Sequence, residues 1–147
     1  GATSLVRVTT MSGWAADSWP NGVAGTPDGK KLYVNKWAGD NLGGTWSFDI
    51  GSDGLLSNIK KVTDIGGDGM SLDEKGHIYI SNGLGVKVID PTQASANALI
   101  MTIPVSPTGG GATNNVFAGK DQTTLIITGP VDKLTSIEMN VKGVEKF

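Results

Sequence analysis

The stretch WPNGVAGTPDGKKLYVN, residues 19–35, holds two short apolar runs around a polar turn. The runs at 23–26 and 31–36 are rich in Val, Leu and Tyr, and Pro27-Asp28-Gly29 between them is a turn signal, so the stretch reads as a β-hairpin. Asn21 stands just ahead of the first run, wedged between Pro20 and Gly22. The same order of elements returns as GDGMSLDEKGHIYIS and again as TNNVFAGKDQTTLIIT, with turns at Asp73-Glu74-Lys75-Gly76 and Lys120-Asp121-Gln122. Asn21 and Asp68 lie 47 residues apart, and Asp68 and Asn115 lie 47 apart again.

Outward from these three hairpins, the alternation predicts a third strand in each unit, at 45–50, 86–89 and 136–141. The first two units add a fourth, at 59–64 and 99–103, and a leading strand is predicted at 5–9. No window of eleven residues carries a 3.6-residue period, and 93–99 allows one helical turn at most. The chain reads as all-β. Four antiparallel strands repeating every ~45 residues describe a β-propeller blade. An unrelated β-sandwich of three units is the alternative, and the repeated turn-strand pattern argues against it. The expected organisation is a single half-propeller unit, with blades over 20–66, 67–112 and 113–147 and residues 1–19 ending a preceding blade. Propellers close with about four to eight blades. Three blades leave sheet faces uncovered, which favours pairing with another chain.

Composition narrows the class. The 147 residues suit one domain, and the 38% hydrophobic content suits a folded core. A net charge of −2 with dispersed Lys and Arg points to neither nucleic acid nor an anionic membrane as partner. The absence of cysteine excludes disulfides, thiolate metal sites and cysteine nucleophiles. No apolar run reaches the ~18 residues of a membrane span. The opening GATSLVRVTT lacks the apolar core of a signal peptide, so no targeting segment is expected and the compartment stays open. The 22 glycines follow no collagen period and fit many tight turns between short strands.

The first strand of a propeller blade lies nearest the axis, so residues at its entry converge on one mouth of the channel. By the repeat these are Asn21, Asp68 and either Asn114 or Asn115. Two carboxamides and a carboxylate make an all-oxygen cluster, which suits Ca²⁺ with its six to eight oxygen ligands. Gly22 and Gly69 are expected to keep β-carbons away from that ion. The alternative is that Asn and Asp before Gly are ordinary turn residues. Trp19 and Trp37 flank the expected mouth and are candidates for a substrate-binding wall, or equally for packing. Trp14 and Trp46 read as structural, and Asp28, Asp73 and Asp121 as turn residues. His77, the single histidine, opens a strand beside a turn and reads as a surface residue. No Gly-x-Ser-x-Gly elbow, phosphate loop or EF-hand is present.

PNGVAGTPDGKKLYV, DGMSLDEKGHIYIS and TNNVFAGKDQTTLIIT together resemble the second half of the senescence marker protein/gluconolactonase family. That family includes regucalcin, bacterial gluconolactonases, a staphylococcal drug-responsive lactonase and, more distantly, diisopropyl fluorophosphatase. The resemblance implies a six-bladed propeller with a divalent metal at the axis, most often Ca²⁺, with Zn²⁺ or Mg²⁺ as options. It implies Asn21 and Asp68 as metal ligands and Asp68 as the catalytic group. The family's first half supplies a glutamate ligand and a further Asn or Asp, so the missing ligands are expected from an N-terminal half on another chain, from the rest of a longer chain of which this is a fragment, or from a second copy. The implied activity is hydrolysis of a small-molecule lactone such as a sugar lactone, with the metal polarising the carbonyl and Asp68 positioning or activating water. A metal-bound carboxylate is a weakened base, which favours the positioning role. Asn114 and Asn115 are expected on the substrate side. A non-catalytic calcium-binding or scaffold propeller and a phosphotriesterase-like hydrolase are the alternatives. The latter ranks below lactones, because the histidine of the fluorophosphatase has no counterpart here.

Overall fold

A computed structural model describes residues 19–37, 43–83, 85–105, 111–129 and 134–144. Among them the only helical element is a 3₁₀ turn at Ser95–Asn97, inside the segment where one helical turn was expected. The rest is antiparallel sheet in three units whose strands follow chain order. The first sheet runs β1 (Trp19–Gly25), β2 (Lys31–Trp37), β3 (Gly44–Ile50), β4 (Leu56–Thr63). The second runs β5 (Met70–Leu72), β6 (Ile78–Asn82), β7 (Gly85–Ile89), β8 (Leu99–Ile103). The third holds β9 (Asn114–Ala118), β10 (Thr124–Thr128) and β11 (Leu134–Glu138). These are three propeller blades. The predicted leading strand at 5–9 and Trp14 fall outside the described residues.

Each first hairpin is closed by a residue in the left-handed region, Gly29 (φ 69°), Gly76 (φ 84°) and Gln122 (φ 58°). In the first two, an aspartate organises the turn by accepting backbone N–H groups, as Asx turns do. Asp28 takes Lys30 N and the Thr26 hydroxyl. Asp73 takes Lys75 N and His77 N, and its second oxygen meets His77 Nδ1 and the Tyr79 hydroxyl. Asp73 is buried, and burial of the Tyr79 phenol, reinforced by this carboxylate, pushes its pKa upward. His77 is thus tied to the turn at the far end of β5, and Asp28 and Asp73 are structural, as their turn positions suggested.

Several strand limits differ from the alternation: β1 begins at Trp19 rather than 23, and β11 ends at Glu138 rather than 141. β4 starts at Leu56, three residues early, because the Gly51–Leu55 turn closes at once through Gly51 N–H to Leu55 O at 2.8 Å. Its SNIKK sequence is polar on an outer strand, and a bulge puts Asn58 at φ 51°. β11 starts at Leu134 because Thr128 pairs with it directly.

The core lies between blades. Tyr33, Met70, Leu72, Ile78, Ile80 and Ile89 fill the space between the first and second. Tyr79, Val86, Val88, Phe117, Leu125 and Ile127 fill the space between the second and third. Successive strand residues point to opposite faces, so Ile78 and Ile80 serve one core and Tyr79 the other. This explains why IYIS is buried throughout, as in a sheet covered on both faces. Phe117 and Tyr79 meet edge to face at 5.0 Å.

Truncating Phe117 to alanine empties the centre of the second core. We expect a loss of about 3–5 kcal/mol in urea unfolding. At the surface, the Lys31 ammonium bonds Asp49 at 2.7 Å and, with Asn58, holds that carboxyl below its ordinary value. A depressed carboxyl stabilises the fold above its ordinary range and loses that contribution as pH falls through the lowered value. The stability difference between the wild type and Lys31→Met should therefore be present at neutral pH and fade progressively as pH falls below about 4 in acid titrations followed by circular dichroism.

Candidate functional site

The mouth is built by an irregularity shared by the first two blades. In β1, Pro20 pairs with Lys36 and Val23 with Val34, so Asn21 and Gly22 together oppose Asn35 alone. In the second blade Asp68 N donates to Ser81 O, and Ser81 N donates to Gly69 O, both at 2.9 Å, so two residues again face one. Bulges of this kind re-aim side chains. They turn Asn21 and Asp68 toward each other: Asn21 Nδ2 donates to Asp68 Oδ1 at 2.8 Å, across the junction of the two blades.

The two glycines are needed for a different reason from the one expected. A β-carbon on Gly22 would stand 2.0 Å from the Asp68 carbonyl oxygen, and one on Gly69 would stand 1.9 Å from Asn114 Oδ1. They make room for the next blade. In the third blade Thr113 N donates to Thr128 O at 2.9 Å, as Asp68 N does to Ser81 O, so Thr113 stands where Asp68 does and Asn114 follows it where Gly69 stands. Asn21, Gly22, Gly69, Met70, Asn114 and Val116 line one concave wall. A neighbouring cleft between the first two blades is lined by Asp68 with Lys36, Asp64, Ser81, Asn82 and Lys87.

Asn115 borders the same wall, and its side chain is engaged between blades. It is buried, with Nδ2 donating to Tyr79 O at 3.1 Å and Ser81 Oγ at 2.8 Å, while its Oδ1 accepts the Ser71 hydroxyl at 2.5 Å. Its side chain is a tie between the second and third blades. Trp19 is exposed and pairs with Trp37 at the start of the β1–β2 ladder, and the Trp37 side chain lies outside the described residues. Trp46 carries the Lys61 ammonium 5.3 Å from its ring centroid. Three polar residues that the alternation concealed also serve this region. Asn35 and Thr45 are fully buried, and Asn82 bonds the Gly66 carbonyl. The sequence signal was polar residues inside runs that otherwise read as buried strand.

Asn21 Oδ1 and Asp68 Oδ2 take no further side-chain bond among the described residues. They are hard oxygen donors carrying one negative charge, a set that fits part of a Ca²⁺ shell. No three of His, Cys, Asp and Glu gather among the described residues, so these residues form no nitrogen- or thiolate-rich cage.

Three blades packed face to face, with oxygen donors brought together at the entry of the first two inner strands, define a β-propeller segment with a polar axial mouth. The chain belongs to the SMP-30/gluconolactonase/LRE-like family, whose model matches residues 15–129. A structure described as that of a candidate gluconolactonase is similar, with 29% identity and a TM-score of 0.68 over 86% of this chain. A gluconolactonase from Xanthomonas campestris is 34% identical over 75% of the chain, with a TM-score of 0.60. A luciferin-regenerating enzyme shares the fold, with a TM-score of 0.67 at 20% identity over 84% of the chain. The chain spans 41%, 34% and 46% of the lengths of these three proteins. No curated protein sequence matches it. No helix among the described residues is long and apolar enough to cross a membrane.

Gly22→Ala forces a β-carbon against the Asp68 carbonyl. We expect about 1–3 kcal/mol of destabilisation by urea unfolding, and loss of the Asn21–Asp68 bond, read from the Asn21 side-chain amide resonance.

Proposed function

We propose that the chain is part of a metal-dependent lactone hydrolase acting on a sugar lactone or a related small lactone. The observation that carries this reading is the Asn21–Asp68 bond, which joins two adjacent blades at the mouth. Membership of the family and the likeness to two proteins described as gluconolactonases support it. Asn21 Oδ1 and Asp68 Oδ2 would hold a divalent cation, with Ca²⁺ favoured by the all-oxygen set and Zn²⁺ or Mg²⁺ as options. When bound, the cation supplies Lewis acidity toward a lactone carbonyl.

The chain's own residues supply the rest. Asp68 accepts a hydrogen bond from the attacking water and orients it, and the Asn21 carboxamide keeps the carboxylate turned to the mouth. Water adds to the ring carbonyl carbon, the ring C–O bond breaks, and the ring oxygen takes a proton to give the hydroxy acid. Asn114 lines the same wall and offers a polar edge to a sugar hydroxyl. Two donors fall short of the six to eight oxygens Ca²⁺ takes. Another chain, an N-terminal half or a second copy, completes the six-bladed ring and the shell.

The incomplete donor set also favours a second reading, a calcium-binding or scaffold propeller without turnover. A panel of aldonolactones, assayed with Ca²⁺, with Zn²⁺ and with chelator, separates the two. In the assembled protein Asp68→Ala should lower turnover by about 10²-fold or more, and Asn21→Ala should weaken Ca²⁺ binding in calorimetry. Full lactone turnover after Asp68→Ala would remove Asp68 from the reaction. Metal-dependent binding without hydrolysis of any lactone would favour the scaffold.

A further inference from the structure

We infer that Asn35 and Thr45, two buried polar residues of the first blade, are positioning residues for Asp68 of the second. The inference deepens the reading just given, since it assigns the groups that hold its central carboxylate in place.

Both side chains are 0% exposed. Asn35 Nδ2 donates to the Asp68 carbonyl oxygen at 3.1 Å. Asn35 Oδ1 faces the Thr45 hydroxyl at 2.6 Å, and the same hydroxyl lies 2.8 Å from the Ile65 carbonyl oxygen. A threonine hydroxyl has one proton, which here is shared between two acceptors. The pair thus holds both ends of segment 65–68. The second blade holds the segment from the other side, through Asp68 N–H to Ser81 O at 2.9 Å and Asn82 Nδ2 to Gly66 O at 2.7 Å. Between these ties the chain is Gly66-Gly67. β-Carbons there would fall 2.2 Å from Lys36 O and 2.1 Å from Ser81 O. Segment 65–68 is therefore threaded between two blades with no slack, and Asp68 leaves it at a fixed angle.

Asn35 also stands opposite the Asn21–Gly22 bulge. One buried carboxamide therefore supports both partners of the Asn21–Asp68 bond, Asp68 through its backbone and Asn21 through the strand pairing.

The blade fold itself does not require this pair. Ladder pairing makes Ser81 the counterpart of Asn35, because Val34 and Ile80 are equivalent and each is followed by one of them. The partner of Asn35 is Thr45, and the partner of Ser81 is Val86. A valine, nearly the same shape without the hydroxyl, fills the position in the second blade and is fully buried. The segment beside that one carries Thr113, whose N–H bonds Thr128 O as Asp68 N–H bonds Ser81 O, whereas the segment beside Thr45 carries the carboxylate. A buried hydroxyl and carboxamide cost free energy unless they are bonded. Here they are spent on the one segment that carries Asp68.

The test is Thr45→Val, which gives the first blade the residue its neighbour already has. The readouts are the Asn21 side-chain amide resonance and its titration with Ca²⁺ alone, by NMR on the isotope-labelled protein. We expect a folded protein whose Asn21 amide has moved and whose Ca²⁺ affinity has fallen about tenfold or more, the usual effect of removing an outer-shell bond. Thr45→Ser, which restores the hydroxyl, should bring both readouts back. Tyr79→Phe removes a buried hydroxyl from the Asp73 turn and should lower thermal stability with neither readout changed. If Thr45→Val does not fold, Asn35→Ser, which borrows the second blade's residue, replaces it with the same expectations. An unmoved amide and an unchanged titration in the folded variant overturn the inference. A wild-type amide indifferent to Ca²⁺, but displaced by Thr45→Val, would leave the positioning role standing and overturn the metal-site reading.

Discussion

Neighbouring blades in this protein meet backbone to backbone at the mouth, and that contact requires positions without side chains. Gly22 lies against the Asp68 carbonyl and Gly66 against that of Lys36. A peptide group brought that close to another blade must find its bonds there, since an unpaired buried amide is costly. The ties follow: Asn35 to Asp68 O, Asn82 to Gly66 O, Gly69 N to Thr113 O. Each makes one blade's inner end a support for the next. The Asn21–Asp68 pair is the exposed tip of this polar seam, and its geometry comes from the seam.

Below the mouth the chemistry changes. Toward the outer strands the blades are joined by Ile, Val, Leu and Phe, which are non-directional and tolerate sliding. Directional bonds are concentrated at the axial end, where position matters for a site. The apolar cores set how firmly the blades adhere, and the polar seam sets their register.

Much of this was legible in the chain, and the illegible parts share a cause. The hairpins and their turns are local: Pro27-Asp28-Gly29 and Asp73 to Gly76 announce themselves through residues a few positions apart. The opposition of Asn21 and Asp68 followed from the repeat. The third member did not, because the 47-residue count lands on Asn115 while the backbone bonds of the third blade put Thr113 in that place. Asn35 and Thr45 stayed hidden because the carbonyls they serve belong to a segment 20 to 33 residues away. The glycines were marked as close-approach positions for the wrong neighbour. Their constraint comes from the next blade, which hairpin spacing does not encode. β4 was shortened because SNIKK, on an outer strand, lacks the alternation a buried face imposes.

The central blade is covered on both faces and the other two on one each within this chain. Stability in such arrays is close to a sum over nearest-neighbour interfaces. Opening an end blade breaks one interface, whereas opening the centre breaks two. The chain therefore behaves as a short stack that frays from its ends, with the β6 amides as the last to exchange with solvent. Asp68 belongs to the blade that opens last and Asn21 to one that opens first, so their bond spans the boundary between a persistent and a fluctuating unit.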